Sequence, residues 1–219
     1  MKIKGAIFDL DGTILDSCHV WKKVDADFLG KRGRNVPPDY AEAIIKMTFR
    51  EAAEYTIERF ELNENPEDVM AEWNQMALYQ YSYEVPLRKG TKEVLAWFAE
   101  KKIPVGVATS NTSMLFEPCL KRNGVYEMFH SFTEVGEVSR GKEFPDIYIK
   151  EAEKLGCDPE NCLVFEDIIP ALKSAESGGF VTIGVVEPTW KYTEEELISC
   201  CYYKIDEIYD ALVLLNSLK

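Results

Sequence analysis

An apolar run that ends in two closely spaced aspartates constrains the fold of this chain more than any other feature. Residues 3–8 are rich in β-forming side chains, and residues 8–13 read FDLDGT. Continuous apolar runs of this length are typical of strands buried on both faces of a parallel sheet. The glycine turn that follows can bring Asp9 and Asp11 together at the open end of the sheet, where α/β proteins build their sites.

The Asp9–Asp11 pair also constrains the chemistry. Neighbouring like charges disfavour joint ionisation, and a divalent cation would relieve their repulsion. An ordinary aspartate has a pKa of about 3.9, so Asp9 would be ionised at neutral pH and able to act as a nucleophile. A second acid could protonate a leaving oxygen and then activate water. The alternative is a plain Asp-Gly turn, but the strand in front of the pair favours the functional interpretation.

The rest of the chain alternates strands with helices. Further strands are predicted at residues 105–109, 163–165, 181–186 and 202–205, and helices at 91–101, 113–123, 145–155, 169–177 and 209–218. This alternation predicts an α/β fold, a doubly wound parallel sheet with a Rossmann-like core.

Residues 17–85 interrupt that alternation. They contain no convincing strand and indicate successive amphipathic helices. One of these helices carries Ala41, Ile44 and Ile45, and a fourth starts at Pro66. We therefore expect an α/β catalytic core at residues 1–16 and 86–219, with a helical cap domain at residues 17–85 inserted after the first strand.

Composition excludes several classes of partner. The chain of 219 residues carries a net charge of −13, which disfavours nucleic acid and anionic membrane surfaces. No apolar stretch approaches the roughly 20 residues that span a bilayer. The six cysteines are scattered without C-x-x-C spacing, which is typical of reduced thiols. We expect a cytoplasmic protein that binds neither nucleic acid nor membrane, and a monomer.

Residues 8–13 resemble the first motif of the haloacid dehalogenase superfamily, in its phosphatase branch. Three more segments follow the order of that family's motifs: residues 105–111 (VGVATSN), 141–146 (GKEFPD) and 163–167 (LVFED). Each has a structural alternative, such as a helix cap at Thr109 or a solvated lysine at Lys142. The four together, in order and within one α/β pattern, favour the family.

The resemblance implies a role for each matching residue. Asp9 would attack phosphorus to form an aspartyl-phosphate, and Asp11 would act as general acid and base. Thr109 would hold the transferring phosphoryl group, and Lys142 would offset the charge of Asp9. The implied Mg²⁺ ligands are Asp9, Asp11 (through its backbone carbonyl), Glu166 and Asp167. The implied phosphoryl-binding residues are Leu10, Ser110 and Asn111.

The cap is expected to select the substrate. A helical insert after the first strand resembles phosphoglycolate phosphatase and β-phosphoglucomutase. Residues 47–51 (MTFRE) match a G-x-S-R-E cap loop of those relatives at Arg50 and Glu51. Arg50 would contact a substrate phosphate or carboxylate, and an exposed helix arginine is the alternative. Where β-phosphoglucomutase has a hinge histidine this chain has Trp21, which favours the phosphatases.

We therefore expect a Mg²⁺-dependent phosphatase of a small phosphorylated metabolite, such as a sugar phosphate. The first alternative is an isomerase of the β-phosphoglucomutase type, and the second is a non-catalytic binding protein of the same fold. The second rests on residues 168–171 (IIPA), where relatives continue S-x-x-G after the acidic pair. Loss of that serine hydroxyl and glycine bears on affinity and rate more than on reaction type.

Overall fold

The computed structural model describes residues 2–44 and 47–218, and the chain divides into two units. Cys18–Glu84 form one unit, and the described residues before and after them form the other. We call these the helical unit and the α/β unit. The assignment of the helical unit as a cap stays a prediction.

Helices make up the helical unit. Its described residues form α1 (Val20–Lys31), α2 (Tyr40–Ile44), α3 (Phe49–Phe60), α4 (Pro66–Tyr79) and a single π-helical turn at Gln80–Glu84. Their apolar sides meet in a core where the rings of Phe28 and Trp73 lie edge to face with centroids 5.5 Å apart. The Tyr40 hydroxyl hydrogen bonds Thr56 at 2.6 Å. Ile45, assigned from the sequence to the second helix, lies outside the described residues.

Local sequence determines where α3 and α4 begin. The Glu51 N–H donates to Thr48 Oγ1 at 3.2 Å, and the Thr48 N–H donates to the Glu51 carboxylate at 2.7 Å, which is a capping box. Asn65 caps α4 by accepting a backbone N–H at 2.9 Å. Of residues 47–51, the last three form the first turn of α3 and the first two precede it; the resemblance of this segment to a cap loop stays a prediction.

A parallel sheet forms the centre of the α/β unit. Its described strands are β1 (Gly5–Phe8), β2 (Val105–Thr109), β3 (Ser131–Glu134), β4 (Cys162–Glu166), β5 (Val181–Val185) and β6 (Tyr203–Ile205). The strand order is β3-β2-β1-β4-β5-β6, and every pairing is parallel. The predicted α/β fold, a doubly wound sheet with a Rossmann-like core, is confirmed.

The register of the sheet aligns the ends of its three central strands. Phe8 pairs with Val107 of β2 on one side and with Phe165 of β4 on the other. The next positions along the chain are Asp9 after β1 and Glu166 at the end of β4. The carboxyl ends of parallel strands share one edge of the sheet, so the predicted motifs converge there.

Six further helices lie in the described part of the α/β unit. They are α5 (Thr91–Glu100), α6 (Ser113–Asn123), α7 (Asp146–Leu155), α8 (Ile169–Ser177), α9 (Glu194–Ile198) and α10 (Ala211–Ser217). The predicted positions of α5 to α8 hold to within one residue. The short α9 was not predicted, and the helix expected at 209–218 begins with a 3₁₀ turn at Ile208–Asp210. None of the helices described has the length and apolar character needed to cross a bilayer.

Strand β3 was also missed by sequence analysis. Its four residues, SFTE, include only one buried side chain, Thr133. An edge strand with mixed polarity lacks the apolar run by which the other strands were recognised.

Two paired segments mark the point of insertion of the helical unit. Leu15 and Leu87 form an antiparallel bridge. The Asp16 N–H donates to the Pro86 carbonyl at 3.1 Å, and the Arg88 N–H donates to the Ile14 carbonyl at 2.9 Å. The chain therefore leaves the α/β unit and returns to it along two adjacent, hydrogen-bonded segments.

Glu151 is a fully buried acid on α7. The Ser131 and Thr133 hydroxyls donate to its two carboxylate oxygens, the second at 2.6 Å. A Cβ added at Gly106 on β2 would lie 1.9 Å from Glu151 Oε1, so glycine makes room for the carboxylate. Burial raises the pKa of Glu151, although the two hydroxyl donors oppose the shift.

We expect Glu151→Gln to reduce the pH dependence of stability. Because the folded state raises this pKa, the contribution of Glu151 is fully present below its unfolded pKa of about 4.3 and is lost as pH rises through the folded value. The amide does not ionise, so the variant should lose less stability than wild type as pH rises toward neutral. Urea denaturation between pH 5 and 8 measures this. Glu153→Gln, at an exposed position of the same helix, is the control, and identical pH profiles for all three proteins would contradict the expectation.

Candidate active site

The turn after β1 positions the first two acids. The Asp9 N–H extends the sheet by donating to the Phe165 carbonyl at 3.0 Å, and the Leu15 N–H closes the turn onto the Leu10 carbonyl at 2.8 Å. Gly12 has φ of 85°, a backbone conformation that glycine adopts without steric cost. Backbone geometry therefore holds Asp9 at the edge of the sheet.

The side chain of Asp11 is held from two directions. Ser17 Oγ donates to its Oδ1 at 2.6 Å, and Asn111 Nδ2 donates to its Oδ2 at 2.9 Å. Asn111 in turn donates its backbone N–H to Thr109 Oγ1 at 3.0 Å. The structure thus brings Asp11, Thr109 and Asn111 together, with Ser110 exposed between the last two.

Thr109 does not cap the helix that follows it. The N-cap position of α6 is Thr112, whose side chain forms no capping hydrogen bond. The Glu134 carboxylate accepts the N–H of Ser113 at 3.0 Å instead. The buried Thr109 side chain lies at the end of β2, and its phosphoryl-binding role stays a prediction.

Lys142 joins two acids that come from different strands. Its ammonium donates to Asp9 Oδ1 at 2.5 Å and to Glu166 Oε1 at 2.5 Å. The Tyr148 hydroxyl donates to the same Glu166 oxygen at 2.8 Å. All four side chains are buried, so this lysine is not the solvated one that its sequence context alone would favour.

Both carboxylate oxygens of Asp167 accept hydrogen bonds. Thr13 Oγ1 donates to Oδ1 at 3.2 Å, and Trp190 Nε1 donates to Oδ2 at 2.5 Å. Glu166 Oε2 accepts the backbone N–H groups of Asp167 and Ile168 at 3.1 and 3.4 Å. These contacts fix the orientation of both acids of the fourth motif.

Burial dominates the electrostatics of these groups. It raises the pKa of Asp9 well above the ordinary value, and the attraction of Lys142 opposes that shift only in part. Burial, followed by the charge of Glu166, raises the pKa of Asp167 to about 7. Burial alone would lower the pKa of Lys142, but the charges of Asp9 and Glu166 outweigh it and raise the pKa. If Asp9, Glu166 and Asp167 were all ionised, they would carry more negative charge than Lys142 neutralises.

The excess of acid fits a hard divalent cation. Asp9, Glu166 and Asp167 each offer a carboxylate oxygen, and these three atoms lie within 4.8 Å of one another. Mg²⁺ prefers oxygen ligands and is usually held by one or two carboxylates together with waters and substrate phosphate. Asp11 does not belong to this group of side chains. The expectation that the Asp11 backbone carbonyl binds Mg²⁺ stays a prediction. The phosphoryl contacts expected from the backbone at Leu10 and Ser110 also stay predictions.

Arg50, predicted to bind substrate, lies on the first turn of α3 in the helical unit. It forms ion pairs with Glu54 at 3.0 Å and with Glu67 at 2.7 Å, and 56% of its side chain is exposed. These contacts fit the alternative given in the sequence analysis, an arginine on the exposed side of a helix. Its contact with substrate stays a prediction.

Two residues at the same sheet edge were missed by sequence analysis. Trp190, in the loop after β5, is the indole donor to Asp167. Arg88 donates to the carbonyls of Gly12 and Val186, the second at 2.8 Å, and so ties the first motif to that loop. Neither belongs to a family motif. Trp190 follows β5 in the sequence, and that position is the signal that could have pointed to it; Arg88 directly follows none of the strands described and has no such signal.

Comparison with known proteins identifies the family. The sequence profile of the haloacid dehalogenase-like hydrolases matches residues 6–185. The chain belongs to this family. The resemblance inferred from the four motifs is confirmed, and so is the expectation of an enzyme of this hydrolase family.

The curated relatives include several phosphatases. A bifunctional riboflavin kinase/FMN phosphatase from Arabidopsis thaliana is 27% identical over 82% of this chain, and the match spans 47% of that protein. This chain thus corresponds to about half of that relative. Hexitol phosphatase B from Escherichia coli strain K12 is 25% identical, with 85% of each chain matched.

The fold also matches solved structures. A putative β-phosphoglucomutase from Thermotoga maritima superimposes with a TM-score of 0.86, covering 99% of this chain and 100% of that one at 22% sequence identity. At this level of identity the similarity concerns the fold. It agrees with the sheet order and the helical insert described above.

Proposed function

We propose that this protein is a Mg²⁺-dependent phosphatase that hydrolyses a small phosphorylated metabolite, such as a sugar phosphate, through an aspartyl-phosphate on Asp9. The observation that carries the proposal is the buried Asp9–Lys142–Glu166 array beside Asp167. It presents a carboxylate nucleophile that is partly neutralised by a lysine and lies next to a site for a cation. Phosphoryl transfer depends mainly on such positioning and charge neutralisation.

In the first half of the reaction, an oxygen of Asp9 attacks phosphorus and the bond to the leaving oxygen breaks. Asp11, as the general acid, gives a proton to the departing alcohol. Lys142 and the phosphoryl contacts of Thr109 reduce the repulsion between the Asp9 carboxylate and the anionic substrate. Mg²⁺, when bound by Asp9, Glu166 and Asp167, would supply further positive charge for the phosphoryl oxygens.

In the second half, Asp11 removes a proton from water, and the water oxygen attacks phosphorus. The acyl-phosphate bond breaks, inorganic phosphate leaves, and Asp9 is regenerated as a carboxylate. The hydrogen bonds from Ser17 and Asn111 support this role because they hold Asp11 in one orientation while it exchanges its proton. No co-reactant other than water is needed.

The expected substrate class is supported by the relatives. Their names include phosphatases of hexitols and of FMN, and such substrates share a phosphate monoester on a small polyhydroxylated carbon skeleton. The expectations of a monomer and of a cytoplasmic location stay predictions.

We expect phosphate release from a panel of sugar, polyol and nucleotide monophosphates in the presence of Mg²⁺, and its loss when EDTA removes the metal. The panel includes β-glucose 1-phosphate, assayed for both free phosphate and glucose 6-phosphate. Metal-dependent phosphate release supports the proposal. Formation of glucose 6-phosphate with little free phosphate, dependent on a bisphosphate activator, would favour the isomerase. Absence of turnover, together with no effect of Mg²⁺ on the melting temperature, would favour a binding protein.

A further inference from the structure

Trp190 contacts the candidate metal site from outside the four motifs. Its indole N–H donates to Oδ2 of Asp167 at 2.5 Å, on the side opposite the Thr13 hydroxyl, which donates to Oδ1. Asp167 is only 2% exposed, whereas Trp190 is 36% exposed. A buried carboxylate is thus clamped between one donor from the first motif and one from a surface loop.

Hydrogen bonds fix the conformation of the loop that carries Trp190 close to the point where it leaves β5. Arg88 donates to the Val186 carbonyl at 2.8 Å and approaches the Glu187 carboxylate at 3.5 Å. The Trp190 N–H donates to the Glu187 carbonyl at 3.1 Å, and the Glu187 carboxylate accepts the Thr189 N–H at 2.9 Å. These bonds close a turn that aims the indole at Asp167.

The same loop supplies what the fourth motif lacks. Ile168 stands at the N-cap of α8 and has no hydroxyl, and no side chain of its own caps the helix. Trp190, from the loop after β5, supplies a donor to Asp167. The segment after β4 is therefore held by Trp190, from outside the motif, where no serine hydroxyl is present within it.

A cavity beside Asp167 gives its side chain room to change orientation when the indole hydrogen bond is absent. It has a volume of about 140 Å³ and is lined by Asp167, Val185, Trp190, Tyr192 and Leu197, among others. A cavity needs roughly 10–15 Å³ of such water-accessible volume to hold one water molecule, so there is open space beside the Asp167 side chain. Without the indole donor, Asp167 could turn toward this cavity and away from Asp9 and Glu166.

We propose that Trp190 is a positioning residue for the metal site: it holds Asp167 in the orientation in which its carboxylate faces Asp9 and Glu166. The inference rests on the proposed function, because it takes these three acids as the Mg²⁺ ligands. Groups that orient metal ligands typically change metal affinity by 10–100-fold when they are removed. Trp190 would act through Asp167 and touch neither the metal nor the substrate.

The test is Trp190→Phe, which keeps an aromatic ring in the loop and removes the N–H. We expect Mn²⁺, used as a probe for the oxygen site and counted by EPR of the free ion, to bind about 10-fold more weakly than to wild type. The Mg²⁺ concentration for half-maximal turnover should rise by a similar factor, with kcat at saturating Mg²⁺ changed much less. The tryptophan emission of wild type should also shift on Mg²⁺ addition, and this response should be absent in the variant.

The control is Trp97→Phe, which removes an indole donor to Asn216, at 3.0 Å, on the surface of the same unit. It should bind Mn²⁺ as wild type does. If Trp190→Phe binds Mn²⁺ within twofold of wild type while wild type binds the ion and turns over substrate, this inference is overturned and the proposed function stands. If wild type itself binds neither Mn²⁺ nor Mg²⁺, the proposed metal-dependent function fails together with the inference.

Discussion

Replacing Asp9 with asparagine is expected to reduce phosphate release by at least about 10⁴-fold, the scale seen when a covalent nucleophile is removed. The amide has nearly the shape of the carboxylate, but its oxygen is neutral and cannot form an acyl-phosphate. The fold should persist because two effects oppose each other. The variant loses the ion pair with Lys142, and it also removes one charge from a buried cluster in which burial raises the pKa of Asp9.

Single-turnover phosphate release and urea denaturation measure the two parts of this prediction. Asp16→Asn is a matched control, since Asp16 is an exposed aspartate in the same connecting segment. It should retain activity. Turnover near the wild-type rate in Asp9→Asn would mean that another group attacks phosphorus, whereas a variant that fails to fold would show that Asp9 is needed first for structure.

Replacing Lys142 with methionine is expected to destabilise the protein by about 3–5 kcal/mol, the usual cost of removing one partner from a buried ion pair. The substitution would leave Asp9 and Glu166 buried with no cation between them, beside Asp167. Activity should fall as well, because the nucleophile would carry an uncompensated charge toward an anionic substrate. The destabilisation should shrink at lower pH, since the acids then bind protons in the folded state.

Urea denaturation at pH 7.5 and pH 5.5 tests the expected loss and its direction. Lys150→Met on α7 is the control: its ion pair with Glu137, at 3.1 Å, is partly exposed, and such pairs contribute about 1 kcal/mol or less. Lys142→Arg keeps the charge and should recover part of the stability. Equal losses for Lys142→Met and Lys150→Met would show that the buried array is not what holds this edge of the sheet together.

The parts of the site that follow strands were predictable from sequence. Asp9 and Glu166 come from or directly after apolar runs, and the register of a parallel sheet brings such positions to one edge without further information. Thr109 is placed by the same rule at the end of β2. In these cases the local sequence pattern is sufficient, because it defines the strand and the end of the strand fixes where the next side chain lies.

The parts that depend on the path of a loop were harder to predict. Lys142 follows no strand directly, and only its resemblance to a family motif singled it out. The structure shows it bonded to Asp9, 133 positions earlier in the chain. Trp190 and Arg88 have no motif at all, and their hydrogen bonds depend on how two loops fold around the strand ends. Strand β3 was missed for a different reason: an edge strand that is half exposed shows no apolar run.

The pairing of Leu15 with Leu87, and of Asp16 with Pro86, has a consequence for how this protein can change over evolution. The two ends of the insert emerge one hydrogen bond apart, so the sheet needs only that this short gap be closed. The entropy of closing it depends weakly on what lies between, about 0.6 kcal/mol for each doubling of a flexible connection. A different module, or a simple turn, could replace residues 18–84 with little effect on the pairing of the strands. The whole insert can thus be exchanged for another one while the acids at the sheet edge keep their positions relative to one another.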